Sequence, residues 1–192
     1  MANRIYHPIR HASPAAKQQD MHFCTLKNQM GRDKRPNVPH SRPMHFELRS
    51  EFRCTPEELF AFHERPEALA LLAPPGGPVE IIQPPASLRV GEEALLRVGL
   101  GPFKIQWVAR HTVYEPPHRF VDEQMSGPFR RWRHEHRVEP CGIGAALIDS
   151  IDFELPGGPL GKVMAPLVAG GLKKSFKTRH DVTRREVERS NP

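Results

Sequence analysis

From Met44 the chain alternates: Phe46, Leu48, Ser50 and Phe52 against His45, Glu47, Arg49 and Glu51. A period of two puts successive side chains on opposite faces of a strand. Thr55-Pro56-Glu57-Glu58 then supplies an N-cap, a proline at the first helical position and a carboxylate three residues after the cap. It predicts a short helix over 56–63 with Leu59, Phe60 and Phe62 on its apolar side. A second helix starts at Arg65-Pro66-Glu67, carries Leu69, Leu71 and Leu72, and is stopped by Pro74-Pro75-Gly76-Gly77-Pro78. Six strands follow, over 79–83, 92–98, 103–114, 119–125, 132–139 and 145–155, separated by Pro- and Gly-rich turns. Strands joined by short turns run antiparallel, because a parallel pair needs a crossover of about a dozen residues or more.

Between Leu160 and Val187 the period changes. Leu160, Met164, Leu167, Val168, Leu172 and Phe176 form one apolar stripe, with Lys162, Lys173, Lys174 and Lys177 mostly between them. This predicts a long amphipathic helix whose stripe must be buried against the strands. Pro166 lacks an amide donor and predicts a kink or a fresh start. Gly170-Gly171 predicts close backbone approach to the sheet or a segment that moves, and the charged run 180–189 is expected to project into solvent. The fold class is α+β: a curved antiparallel sheet of about seven strands around a long C-terminal helix, with two short helices after the first strand.

Charge divides the chain. Residues 1–43 hold eight Lys or Arg against two Asp, which leaves twenty basic and twenty acidic residues in 44–192. The neutral part, 44–189, is the predicted domain. The basic part, without an apolar repeat, is predicted to be a disordered N-terminal extension, with Met44 a candidate natural start. A nucleic-acid-binding domain carries a basic face of its own, so no specific nucleic-acid partner is expected. Arg130, Arg131 and Arg133 beside Phe129 and Trp132 suit RNA stacking in principle. On a strand, however, Arg131 and Arg133 face away from Trp132, and Asp122, Glu123 and Glu135 are at hand as salt-bridge partners. No apolar run reaches the ~18 residues of a membrane span, and the start lacks a secretory layout; a cytoplasmic protein is expected. Cys24, Cys54 and Cys141 form no Cys-x-x-Cys pair and are read as free thiols.

Candidate chemistry gathers on one strand face. Trp132, His134, His136 and Val138 lie together, opposite Arg131, Arg133, Glu135 and Arg137. If 140–144 is a tight turn, the next strand presents Leu147, Asp149, Ile151 and Phe153 on that face, and His134 falls near Asp149. An imidazole facing a carboxylate favours its charged form, and such a pair orients a polar ligand end or serves as general acid–base. His134 and Asp149 are therefore the catalytic candidates, although a hydrogen-bonded wall is the simpler role. His134-x-His136 also suits a metal site built on a strand, with Asp149 or Glu123 completing it. No third histidine sits at a tight spacing, so no metal is assigned. Trp107 shares strand parity with Ala109 and His111, and these are expected to line a cavity with Met164, Val168, Leu172 and Phe176. Ser126, Ser150 and Ser175 lack a Gly-x-Ser-x-Gly context and no phosphate-cradling loop is present; no cofactor is expected.

Three stretches carry a family resemblance: Pro56-Glu57-Glu58-Leu59-Phe60-Ala61-Phe62, Leu71-Leu72-Ala73-Pro74-Pro75, and above all the run from Phe120 to His136. They resemble the SRPBCC superfamily, which takes in START lipid-transfer domains, birch-pollen-allergen-type plant proteins and polyketide cyclase/dehydrase-like proteins. Leu155-Pro156-Gly157-Gly158-Pro159-Leu160-Gly161 is similar to the Pro-Phe-Gly-Pro-Leu-Gly turn of its small bacterial ligand-binding members. The resemblance covers about 44–187 and implies a helix-grip fold with a hydrophobic cavity between sheet and helix. It implies binding of a small apolar or amphipathic ligand, or alternatively a cyclase/dehydratase-type enzyme, and transfers no catalytic motif. The expected ligand-binding set is Trp107, Ala109, His111, Glu123, Trp132, His134, His136, Leu147, Asp149, Ile151, Met164, Val168, Leu172 and Phe176.

Overall fold

The computed structural model describes residues 43–73, 77, 79–100 and 103–189. The predicted extension 1–43 lies outside them except for Pro43, as do most residues of the Pro74–Pro78 stop and the Gly101-Pro102 turn.

Strand β1 (Met44–Phe52) leads into helix α1 (Pro56–Glu64), where Thr55 Oγ1 accepts from the Glu58 amide at 3.2 Å. The Glu58 carboxylate accepts in return from the Thr55 amide at 2.8 Å, closing the capping box. Helix α2 (Ala68–Leu72) follows, and then β2 (Val79–Gln83), β3 (Glu93–Leu100), β4 (Phe103–Glu115), β5 (Arg119–Ser126), β6 (Arg131–Cys141), β7 (Gly144–Glu154) and helix α3 (Pro159–Glu188). The strands form one sheet in the order β1-β7-β6-β5-β4-β3-β2. Every neighbouring pair is antiparallel. Register shifts on β4, between Val108 and Ala109 and between His111 and Val113, mark the bulges that bend a sheet into a grip. Gly144 sits at φ +142, and a Cβ there would meet the Cys54 and Phe52 carbonyl oxygens at 2.5 and 2.6 Å. Only glycine lets β7 start this close to the end of β1.

Helix α3 docks differently from the predicted stripe. Its buried line is Gly161, Ala165, Phe176, His180, Thr183 and Val187, while Leu160, Met164 and Leu167 are 69%, 44% and 69% exposed. The run 180–189, expected in solvent, is among the best-packed parts of the helix, with His180 and Thr183 at 2% and 1% exposure. Helix α3 is continuous through Pro166, with no fresh start. Gly170 and Gly171 are exposed, and a Cβ on either would touch nothing within 4 Å, so they mark no close approach.

Two apolar clusters fill the grip. Phe52, Leu59, Phe60, Phe62, Phe120, Leu147 and Val187 pack where α1 meets the C-terminal part of α3. Ala94, Leu96, Trp107, Trp132, Ile151, Phe153 and Phe176 pack farther along the sheet.

Candidate functional site: a polar-backed cavity

Where the two clusters meet, a cavity of about 160 Å³ remains, walled by the inner face of β3–β6, by α2 and by Leu172, Ser175, Phe176 and Arg179 of α3. Strand pairing sets its polar side. Asp122 on β5 is the register partner of both His111 on β4 and His134 on β6, so these three form a row across the sheet. His136, one pleat along, is opposite Asp149 on β7. Alternation then turns His134 and His136 inward, at 4% and 8% exposure, with Trp132 and Val138.

Asp149, 2% exposed, is the hub behind this row. Its Oδ1 accepts from His134 Nε2 at 3.1 Å and lies 2.7 Å from His136 Nδ1, the latter contact being close but poorly aligned for a hydrogen bond. Its Oδ2 accepts from His180 Nε2 at 2.7 Å, and His180 Nδ1 is 2.7 Å from Ser50 Oγ. On the cavity side, Asp122 Oδ2 stands 3.1 Å from His134 Nδ1 and 3.7 Å from His136 Nε2. His63 on α1 lies tilted against His136, with ring centroids 5.8 Å apart, and meets the Leu59 carbonyl through Nδ1 at 2.9 Å.

Electrostatics follow from burial and these partners. Burial works against ionisation of Asp149, but His136, His134 and His180 hold its carboxyl well below the usual range. Asp122 is likewise held low against its own burial, by His134 and then His136. His134 goes the other way: burial disfavours its charge, yet Asp122 and Asp149 lift it to about 9. His63, enclosed and facing other imidazoles, is pushed by burial and then by His136 down to about 4. Burial also lowers His111, with Asp122 opposing. At neutral pH the site thus holds two carboxylates and the His134 imidazolium, with Arg179 beside them.

Of the residues expected from sequence, Trp107, Ala109, His111, Trp132, His134, His136, Leu172 and Phe176 line this cavity. Six others do not. Glu123 faces outward, 3.7 Å from Arg133, because Phe120 and Asp122 take the inward positions of β5. Leu147 and Ile151 are core residues at 1% and 0% exposure, and Asp149 stands behind the histidines. Val168 packs on the second apolar cluster, and Met164 is 44% exposed. Asp122, read as a partner for surface arginines, is instead the carboxylate at the cavity wall. Arg179 and His63 carried no sequence signal: each arrives from a helix, at a distance along the chain that no local period encodes. The outer arginines behave as expected, with Arg133 2.8 Å from Glu135 and Arg130 4.0 Å from Glu154. Among the described residues, no helix is long and apolar enough to cross a membrane.

Several solved structures share the architecture. TTHA0849 from Thermus thermophilus superposes with a TM-score of 0.62 at 13% identity, over 78% of this chain and 100% of that one. The Zhui aromatase/cyclase from Streptomyces sp. R1128 gives 0.60 at 14% identity, over 76% and 94%. Ara h 8.0201 gives 0.51 at 15% identity, over 73% and 97%. At such identities the likeness establishes the helix-grip fold and leaves activity to the site itself. No curated protein matches the sequence. The family model described as "Domain of unknown function (DUF8410)" matches residues 70–187, from within α2 to the last turn of α3. On that match, which takes in the whole cavity side of the sheet and the helix closing it, the chain belongs to the DUF8410 family.

Proposed function

We propose that this protein binds a small amphipathic molecule in the cavity between the sheet and α3. The observation that carries this reading is a concentration of unmet hydrogen-bonding capacity around an apolar space. Among the described residues, seven buried side-chain polar atoms lack a hydrogen-bond partner; setting aside His136 Nδ1, which faces Asp149 at 2.7 Å, four of them belong to cavity-lining residues: Trp107 Nε1, His111 Nδ1, Trp132 Nε1 and Arg179 Nε. Buried polar groups are normally paired, so such a cluster marks where a bound molecule or ordered water belongs. Indole and guanidinium nitrogens only donate. The ligand they fit carries acceptors, such as a carboxylate or carbonyl, at one end. Its body lies against Leu69, Leu72, Leu88, Ala94 and Leu96, where affinity comes from apolar burial at ~25 cal/mol per Å².

Size narrows the class. A cavity of ~150 Å³ takes benzene, and this one, at about 160 Å³, suits a compact ring-sized molecule. We place the function in residues 44–189, with 1–43 an appendage. The free Cys54 and Cys141 fit a reducing cytoplasm.

The cyclase/dehydratase alternative needs a side chain that takes and returns a proton. His134 suits that poorly, since both ring nitrogens face carboxylates and it stays protonated at neutral pH. Native mass spectrometry of the protein isolated from its source tests binding, with a stoichiometric small-molecule adduct as the expected result. Absence of any adduct, together with no saturable binding across a panel of aromatic carboxylates and their neutral analogues, would sink the reading.

A further inference from the structure

We infer that Asp122, His134 and His136 form a site for a first-row divalent metal ion, held at the cavity wall with its remaining coordination positions open to the cavity. One ligand atom from each of the three lies within 4.8 Å of the other two. Metal–nitrogen and metal–oxygen bonds of ~2.0–2.1 Å in a tetrahedral arrangement separate ligand atoms by roughly 3.3 Å. The separations from Asp122 Oδ2 to His134 Nδ1 and His136 Nε2, 3.1 and 3.7 Å, bracket that value. All three ligand atoms lie within 4.8 Å of one another, so seating the ion takes side-chain rotation that closes the widest of these gaps.

The surroundings are those of a metal site as well. A ligating histidine holds its second nitrogen against a carboxylate, which fixes the ring and makes it a better donor. Here both rings turn their far nitrogens, His134 Nε2 and His136 Nδ1, onto one oxygen of Asp149, at 3.1 and 2.7 Å. His180 anchors the other oxygen at 2.7 Å. Asp149 is thus a positioning residue that aims His134 Nδ1 and His136 Nε2 at Asp122. The Asp122 and Asp149 carboxylates, on either side of the two imidazoles, set a negative potential that attracts a cation. Two imidazoles and one carboxylate suit Zn²⁺, Fe²⁺ or Co²⁺ better than Mg²⁺ or Ca²⁺, which prefer oxygen donors. His111, the next imidazole along the row and buried at 8% exposure, presents an unpartnered Nδ1 at the same wall. An ion here polarises an acceptor on whatever molecule occupies the cavity.

The chain has its own reporters. Its only two tryptophans, Trp107 and Trp132, line the cavity, and the Trp132 ring is 6.3 Å from the His134 ring. Cobalt quenches indole emission at short range, so tryptophan fluorescence reports an ion bound at this wall. Full-length, untagged, chelator-treated protein is titrated with Co²⁺ while emission and visible absorption are followed. The expected result is saturable quenching at one ion per chain, with d–d absorption from mixed nitrogen and oxygen ligands. Asp122→Asn and His136→Gln should weaken binding at least tenfold, and Asp149→Asn by ~10–100-fold, in proteins whose thermal melts remain cooperative. Unchanged tryptophan emission in the wild-type protein at saturating Co²⁺ overturns the site. So does Co²⁺ affinity in folded Asp122→Asn and His136→Gln proteins equal to wild type. If the variants do not fold, the wild-type emission decides alone. Such a failure leaves the ligand reading intact, since the apolar wall and the indole donors need no cation.

Discussion

His180 Nε2 lies 2.7 Å from Asp149 Oδ2, with each residue at 2% exposure, and this contact fastens α3 to the middle of β7. The helix therefore docks through a charge-assisted hydrogen bond as well as through grease. Phe52 packs edge-on to the same imidazole with ring centroids 6.1 Å apart, so the bond is shielded from water. A hydrogen bond to a charged group contributes about 1.5–3 kcal/mol. His180→Ala is expected to lower unfolding free energy by roughly that amount, and His180→Gln, which keeps a donor, by less. Urea titration followed by far-UV circular dichroism measures both; equal losses would mean the ring's packing matters and the bond does not.

The glycine pair in α3 gives a prediction of opposite sign. Gly170 and Gly171 are helical and exposed, and a methyl on either meets nothing within 4 Å. Glycine in a helix interior costs ~1 kcal/mol relative to alanine. Gly170→Ala and Gly171→Ala should each raise the midpoint of thermal unfolding. A drop at either position would show that this face of the helix is covered by a partner in solution.

Strand periodicity made most of the sheet legible, because each inward residue of β6 has an outward charged neighbour: Trp132, His134 and His136 against Arg131, Arg133 and Glu135. Counting across a tight turn at 140–144 also brought His134 near Asp149. In β5 the same rule fails, since Phe120 and Val121 are both buried and Asp122 and Glu123 are both acidic. Parity there gives no preference, and only the pairing of Asp122 with His134 decides which carboxylate faces in. The register of α3 was hidden for another reason. Gly161, Ala165, His180 and Thr183, which touch the rest of the domain, are small or polar, whereas Leu160, Val163, Met164 and Leu167, which look like core, stand in solvent. Burial of a helix face by close approach and hydrogen bonding leaves a weak hydrophobic signature.

Cys54, which does not line the cavity, offers a separate test. It is 6% exposed, and burial, followed by the charges of Glu58 and Glu188, pushes its thiol from 9.0 up to about 11. The folded state holds the proton more tightly than the unfolded one, so this contribution to stability is complete below pH 9 and disappears as pH rises through about 11. Denaturant midpoints of wild type should therefore fall more steeply over that window than those of Cys54→Ala. At mildly alkaline pH a thiol reagent should label the partly exposed Cys141 in the native protein, and Cys54 only as the chain unfolds. Equal labelling rates at the two positions would show that Cys54 is not enclosed.

Filling the cavity distinguishes a binding space from a packing defect. Ala109 on β4 is 7% exposed and lines the cavity between Trp107 and His111, so a larger apolar residue there projects into the empty volume. In a close-packed core, added methylenes cost about 1–3 kcal/mol; in a void of about 160 Å³ they gain contacts instead. Ala109→Leu is expected to leave the unfolding midpoint unchanged or higher, while binding of an aromatic carboxylate, read by calorimetry or by tryptophan emission, weakens by at least tenfold. The two readouts move apart only if the space is a ligand site. A variant that is destabilised would show that the sheet and α3 already meet tightly at Ala109. One that is stable yet binds with wild-type affinity would place the ligand elsewhere on the protein.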